Sequence, residues 1–330
     1  MILVTGATGH IGNVLVKELL NDGETVRALV LPSEDASDLR RRGVDVVPGN
    51  LLDIASLENA MRGVEYVYHL AGIISIMPNT FELLKKVNVD GTLNVLHAAR
   101  AAGVKRMVYT ASIHAFSRAW QGVIDESVPF DPNCACGDYD RSKAMAATAV
   151  LAEANGGMDV VVVCPTGVIG PYDYRGSEMG EMLRAWSLPS AAHLMIDGAY
   201  DFVDVRDVAR GHILAMRKGR SGEVYILSGE RIEVPEIHRL VQKSMGLRSA
   251  LIKIPYWLAK AASVFTPLYY RITRTTPKFT PYSLETLRSN SWVSSRKARE
   301  DLGFKARTLA ESIADTVRWW QKQMRPTLEP

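Results

Sequence analysis

Tyr139 and Lys143 stand four residues apart in the stretch GDYDRSKAMAA, residues 137–147. On a helix that spacing puts both side chains on one face. A free tyrosine ionises near pH ~10, too high for a base at neutrality. A nearby ammonium favours the phenolate, and a tyrosine tuned in this way can exchange a proton with a hydroxyl or carbonyl oxygen. The pair is therefore a candidate proton-transfer couple, although the same spacing also occurs on ordinary helix surfaces.

Ser112, in YTASIHAF (109–116), follows a β-rich run. Its hydroxyl could hydrogen-bond a reacting oxygen and stabilise developing charge. It could equally cap a turn. Strand alternation would point Thr110 to the same side, so spacing alone does not separate the two. His114 could touch a substrate or be an internally satisfied loop histidine.

Positioning these groups is the task of alternating elements. Short β-rich runs occur at 2–5, 25–30, 44–48, 65–70, 106–111 and 159–165, with helix-like stretches at 10–22, 53–62, 80–102 and 139–155. This rhythm predicts an α/β fold, a doubly wound parallel sheet. The strands are rich in Val, Ile and Leu, as strands buried on both faces should be. After Pro165 the alternation breaks. A strand is expected at 223–229, a helix from Val234, an amphipathic helix with an exit loop at 254–270 and a last helix at 308–324. We expect a dinucleotide lobe over 1–165, with segments near 200–228 returning to it. A smaller, mostly C-terminal α/β substrate lobe is expected over 166–330.

VTGATGHIG (4–12) sits between the first strand and the first helix, with Gly6, Gly9 and Gly12 every third residue. Glycines there let backbone N–H groups and a helix N-terminus approach a pyrophosphate. The strand-to-helix setting is the context in which such a motif carries weight.

Together with Tyr-x-x-x-Lys, this Gly-x-x-Gly-x-x-Gly loop resembles the extended short-chain dehydrogenase/reductase family, a Rossmann-type fold. VNVDGTLNVLHAA (87–99), YTASIHAF, CPTGVIGPYD (164–173) and YDFVDVRDVARGHILAM (200–216) resemble further family motifs in the same order. TVRALV, YTASI and PTGVIGP look most like the branch of dihydroflavonol-type reductases and 3β-hydroxysteroid dehydrogenases. The resemblance implies Tyr139 as acid/base, Lys143 as its electrostatic partner and ribose ligand, Ser112 as the substrate-oxygen partner and Asn88 as a supporting residue. It also implies dinucleotide contacts from Gly6, Thr8, Gly9, His10, Ile11 and Gly12. Others would come from Leu31, Asn50 and Leu51, from Leu70, Ala71 and Gly72, and from Pro165, Thr166 and Val168. Dimerisation through 80–102 and 139–155 is implied by analogy.

The family contains dehydrogenases, epimerases and dehydratases. Ile113 and His114 stand where dehydratases carry an acidic pair, and Ala115, Phe116 and Ser117 replace the epimerase Val-Tyr-Gly. A net alcohol–ketone oxidoreductase is the leading expectation, with a nucleotide-sugar epimerase second and a non-catalytic cofactor-sensing protein third. The cofactor is NAD or NADP, with a slight lean to NAD. Val30 and Leu31 offer neither an acid for the ribose nor an arginine for a 2′-phosphate, while Glu34 and Asp35 would repel a phosphate. Arg40, Arg41 and Arg42 could attract one, or form a solvated helix face.

The charge balance, 39 basic against 36 acidic residues, gives no reason to expect nucleic acid. The start MILV enters a strand without a basic leader, and no run of about 18 uncharged apolar residues occurs. A cytoplasmic protein without a transmembrane segment is expected. Cys134, Cys136 and Cys164 read as free thiols without a metal site. Met179, Met182, Trp186, Trp257, Phe265, Tyr269 and Tyr270 make the second lobe rich in apolar bulk. Such residues more often form core than pocket, yet they favour a bulky apolar substrate, as does the lack of an evident diphosphate clamp. Arg175, Arg184 and Arg210 are the residues that could supply one. Residues 271–307, with nine basic and three acidic residues, read as a solvated face or an anion-binding one.

Overall fold

Runs of β-branched residues make the strands of the fold, which the computed structural model describes for residues 1–273 and 280–324. The strands are β1 (Ile2–Thr5), β2 (Val26–Val30), β3 (Asp45–Pro48), β4 (Tyr66–His69), β5 (Arg106–Thr110) and β6 (Val160–Pro165). They continue with β7 (Gly167–Ile169), β8 (Ala192–Met195), β9 (Ala199–Asp204), β10 (Val224–Leu227), β11 (Glu230–Glu233) and β12 (Ala250–Lys253). Seven form one sheet, in the order β10-β6-β5-β4-β1-β2-β3. Every pairing in it is parallel. The winding reverses between β1 and β4, so a crevice opens beyond the carboxyl ends of those strands, where open α/β sheets bind ligands.

Helices cover both faces. They are α1 (His10–Asn21), α2 (Ser37–Arg41), α3 (Ile54–Met61), α4 (Phe81–Leu84), α5 (Gly91–Ala101), α6 (Asp138–Asn155) and α7 (Glu178–Trp186). Then come α8 (Val205–Lys218), α9 (Val234–Met245), α10 (Tyr256–Ser263), α11 (Thr266–Thr273), α12 (Pro281–Arg288) and α13 (Leu309–Met324). One core joins α1 and α8 to the sheet through Val14, Leu15, Val208 and Ile213. The opposite core joins α3, α5 and α6 through Leu57, Val95 and Val150. A third core packs α7, α9 and α13 against β9 and β11 through Leu183, Val241, Ile313 and Phe202. This doubly wound sheet is the fold class read from the sequence.

Local differences have physical causes. The expected exit loop at 254–270 is instead a second helix, α11. Pro267 falls in its first turn, where a missing N–H costs nothing, so the proline starts a helix rather than ending one. Cys134 and Cys136 are joined in a disulfide, which corrects the reading of free loop thiols; Cys164 is free and buried. The tight turn 134–136 brings the two sulfurs together, which a count of cysteines does not reveal. Between α4 and α5, Lys85–Asp90 winds as a π-helix, a form frequent at functional sites.

Candidate active site

Three elements converge at the sheet's carboxyl edge: the loop after β1, the loop after β4 and the start of α6. Each glycine of the first loop has its own reason. Gly6 has φ +72°, and a Cβ there would lie 2.7 Å from the Ala71 nitrogen. At Gly12 a Cβ would lie 2.1 Å from the Gly6 carbonyl oxygen, so this glycine lets α1 pack against the strand end. At Gly9 a Cβ would meet only the Gly6 oxygen, at 3.2 Å. Gly9 opens α1 with no side-chain cap. The loop is thus a cradle of backbone N–H groups at a helix N-terminus, and its residues fit a dinucleotide pyrophosphate.

Around this cradle, Thr8 donates to Glu34 (2.8 Å), and Arg175 reaches both Thr8 (2.7 Å) and Glu34 (2.6 Å). His10 is hydrogen-bonded to the Pro171 carbonyl at 3.0 Å, which lays the segment after β7 over the start of α1. Ile11 packs against the α1 core. Leu31 is exposed at the end of β2, and Asn50 is exposed with its side-chain oxygen accepting from Leu52 N–H. Leu51 is buried, and Leu70, Ala71 and Gly72 form the loop after β4. Pro165 and Thr166 are buried at the end of β6, with Val168 just beyond in β7. Arg42 bonds Asn13 and ion-pairs with Asp38, while Arg40 is exposed.

A buried chain of hydrogen bonds underlies the crevice. Thr5 bonds His69 (2.7 Å), and His69 bonds Thr92 (2.9 Å). Thr92 donates to the Asn88 carbonyl (2.6 Å). Asn88 accepts from Ile73 N–H (2.8 Å) and donates to the Ser142 hydroxyl (3.0 Å). Asn88 is therefore a brace between the β4 loop and α6. Burial pulls His69 down to about 3, so it is neutral.

Ser112 is buried just past β5 and accepts from His114 N–H at 3.2 Å. The Tyr139 phenol lies beside it. Burial raises Tyr139 to about 12; the Ser112 hydrogen bond opposes this, and the Asp140 charge adds to it. The sequence placed Thr110 and Ser112 on one side, but Thr110 bonds His212 of α8 at 2.7 Å, while Ser112 meets α6. Ser112 lies beyond the last strand residue, where alternation no longer applies. Lys143 also differs from expectation: its ammonium donates to the Thr110 carbonyl (2.8 Å) and sits 5.2 Å from the Tyr109 ring centroid. Burial lowers it to about 8, and it is not among the groups that shift Tyr139. The carbonyl at the end of β5 holds the ammonium.

A cluster that sequence reasoning missed surrounds Tyr139. Asp140 is fully buried. Burial pushes its carboxyl up, but hydrogen bonding and charge from His114, then Arg118 and Tyr282, outweigh this and hold it below the usual range. His114 bonds Tyr200 through Nε2 at 2.8 Å, and its ring lies 5.9 Å from that of Tyr139. The adjacency of Asp140 to Tyr139 was the one available signal; Tyr200 and Tyr282 arrive from distant segments. A cavity beside Ser112 has one apolar wall, of Ile113, Phe116, Ile124 and Val293, while the rest of its lining is polar and includes His114, Arg118, Thr166, Tyr200, Asp201 and the segment 289–291. Burial raises Asp201 to about 6.

The expected apolar residues of the second lobe divide differently. Trp186 is core, and Met179 and Met182 pack against it, while Trp257, Phe265 and Tyr269 are exposed. Tyr270 stacks edge-on with Tyr269. Cys134, Cys136 and Asp140 hold their ligand atoms within 4.8 Å of one another. The sulfurs are spent on the disulfide, and the carboxylate on Tyr282, His114 and Arg118.

This crevice and fold have known counterparts. Residues 2–228 match the model of the NAD dependent epimerase/dehydratase family. The chain is 36% identical to sterol demethylase protein B of Methylococcus capsulatus over 97% of its length and 98% of the relative's. It is 32% identical to a putative dihydroflavonol 4-reductase of Synechocystis sp., over 96% of this chain and 94% of that one. Among solved structures, the crystal structure of gox2253 superposes with TM-score 0.83 at 28% identity, covering 98% of this chain and 99% of that one. MoeE5, solved with UDP-glucose and NAD, gives TM-score 0.76 at 25% identity, covering 98% and 99%. The chain belongs to the NAD dependent epimerase/dehydratase family. It is an enzyme of that NAD-dependent oxidoreductase type, on the extended short-chain fold.

Proposed function

We propose that this enzyme interconverts a secondary alcohol and a ketone on a bulky apolar substrate of polycyclic, sterol-like size. The observation that carries the reading is where the arginines go. Arg175 is tied to Glu34 and Thr8 beside the glycine loop, Arg184 to Glu181 on its own helix and Arg210 to Asp22, and Arg118, which lines the cavity, is neutralised by the buried Asp140. A sugar-nucleotide diphosphate calls for arginines aimed at it, with bidentate geometry the usual solution. The apolar wall of Ile113, Phe116, Ile124 and Val293 beside Ser112 suits a hydrocarbon surface instead. The similarity to a protein named for sterol demethylation supports the same class.

In this reading the residues around the glycine loop hold NAD, and its nicotinamide supplies the hydride acceptor or donor. Ser112 hydrogen-bonds the substrate oxygen. Tyr139 takes the proton from the alcohol, or returns it to the ketone, at that oxygen. Lys143, held at the Thr110 carbonyl one turn of α6 from Tyr139, would bind the nicotinamide ribose. Asn88 fixes α6 against the β4 loop. His114, Asp140 and Tyr282 hold the wall behind Tyr139.

The test is a panel of hydroxysteroids and related alcohols, followed by nicotinamide absorbance, with uridine diphosphate binding measured separately. Turnover of apolar alcohols without diphosphate binding supports the reading. Micromolar affinity for the diphosphate and no apolar turnover makes the enzyme a nucleotide-sugar epimerase instead.

A further inference from the structure

Helices α10 and α11 meet in an elbow at Val264 and Phe265. Few of their side chains point into the protein: α10 buries Ala259 and Ser263, and α11 buries none. The apolar residues face out instead. Phe265 is 72% exposed, Ile272 71% and Trp257 71%, with Val264, Leu268 and Tyr269 all above half. Positions 264, 265, 268, 269 and 272 recur at the spacing of one helical face. An exposed apolar face of this size marks an interaction surface.

Charge decides the partner. Residues 247–273 contain four basic residues, Arg248, Lys253, Lys260 and Arg271, and no acidic one. All four are exposed; Lys253 pairs with Asp197. A second copy meeting this face across a two-fold axis would bring the same cations together, which disfavours it. An anionic lipid surface supplies the opposite charge and a hydrocarbon layer beneath it. Trp257 and Tyr269 have the amphipathic rings that settle at such a boundary. No helix among the described residues is long and apolar enough to cross a membrane, so the contact lies in the plane of the interface.

We infer that the α10–α11 elbow docks this enzyme on the surface of an anionic phospholipid bilayer, with Phe265 and Ile272 inserted and Lys260 and Arg271 at the headgroups. The docked face adjoins the candidate site. Arg288 of α12 stacks on Tyr256 of α10 at 4.4 Å, and Tyr282 of α12 reaches Asp140. This places the cleft near the layer where apolar substrates partition. The inference rests on the surface itself and not on the substrate reading.

The experiment is co-sedimentation of the full chain with vesicles of phosphatidylcholine alone and of phosphatidylcholine mixed with phosphatidylglycerol. The wild type is expected to bind the mixed vesicles about tenfold more tightly than the neutral ones and to release in high salt. Phe265→Asp with Ile272→Asp should abolish binding, and Lys260→Glu with Arg271→Glu should weaken it by at least about tenfold. Circular dichroism and melting of both variants should match the wild type, since all four side chains are exposed. A folded wild type that ignores anionic vesicles overturns the inference. So does a Phe265/Ile272 variant that binds as before, or a patch whose mutation disrupts only self-association. Lipid binding by a chain that turns over no sterol leaves this docking standing while removing the proposed substrate.

Discussion

The Tyr282 hydroxyl donates to the Asp140 carboxylate at 2.5 Å, joining α12 to the residue next to Tyr139 across 142 positions of sequence. Arg118 and His114 share the same buried carboxylate. Asp140→Asn leaves Arg118 without its counter-charge and should destabilise the fold by about 3 kcal/mol, measured by urea unfolding. Tyr282→Phe should cost about 2 kcal/mol, as one hydrogen bond to a charged group is lost. Removing the Asp140 charge also favours the phenolate, so the Tyr139 limb of the kcat/KM pH profile should move to lower pH. An unmoved profile would separate Asp140 from the proton transfer.

Lys143 titrates low in the folded state, about 8 against an ordinary value of 10.5. Between those values the unfolded chain binds the proton and the folded chain does not, so stability rises with pH across that window. Below about pH 8 the charged side chain carries its full burial penalty. Lys143→Met removes this term. The variant should be least disadvantaged, or even more stable than wild type, at pH 7, and its relative stability should fall as pH rises from 8 to 10.5. Melting both proteins across that range checks the sign.

Gly9 and Gly12 should respond differently. Gly12→Ala forces a Cβ to within 2.1 Å of the Gly6 oxygen and should lower the melting temperature. Gly9→Val should leave melting little changed and raise the dinucleotide Kd by about tenfold or more, because its side chain fills the cradle. Titration calorimetry with NAD, alongside melting curves, separates the two.

Glu34 is expected to bias the enzyme towards NAD. Its carboxylate would repel a 2′-phosphate, and it occupies Arg175. Glu34→Gln frees that guanidinium, so the ratio of Kd for NADP to Kd for NAD should fall by about tenfold. A ratio unchanged in the variant would place the adenosine ribose elsewhere.

The sequence made the sheet legible because buried parallel strands are continuous apolar runs separated by helical stretches. Gly6 and Gly12 were legible because backbone geometry demands glycine there, and Gly9 because a side chain would fill the space a pyrophosphate needs. Asp140's partners were not, since His114, Tyr200 and Tyr282 converge only after distant segments fold together. The direction of Lys143 was hidden too: helical spacing aligns it with Tyr139, but the carbonyl of Thr110 captures it. The exposed faces of α10 and α11 read as apolar bulk, and nothing in their spacing distinguishes a pocket, a core and a surface. Residues 274–279 and 325–330, part of the expected substrate lobe, lie outside the described residues.

Single-turnover measurement of nicotinamide reduction by Tyr139→Phe, with a hydroxysteroid that the wild type oxidises, bears most directly on the central claim. Removal of one positioned acid/base group should slow this step by about 10²–10⁴-fold, with NAD affinity unchanged. If the Phe variant kept more than about half of the wild-type rate while chemistry was limiting, Tyr139 would not be the proton-transfer group, and the reading of the site built on it would be wrong.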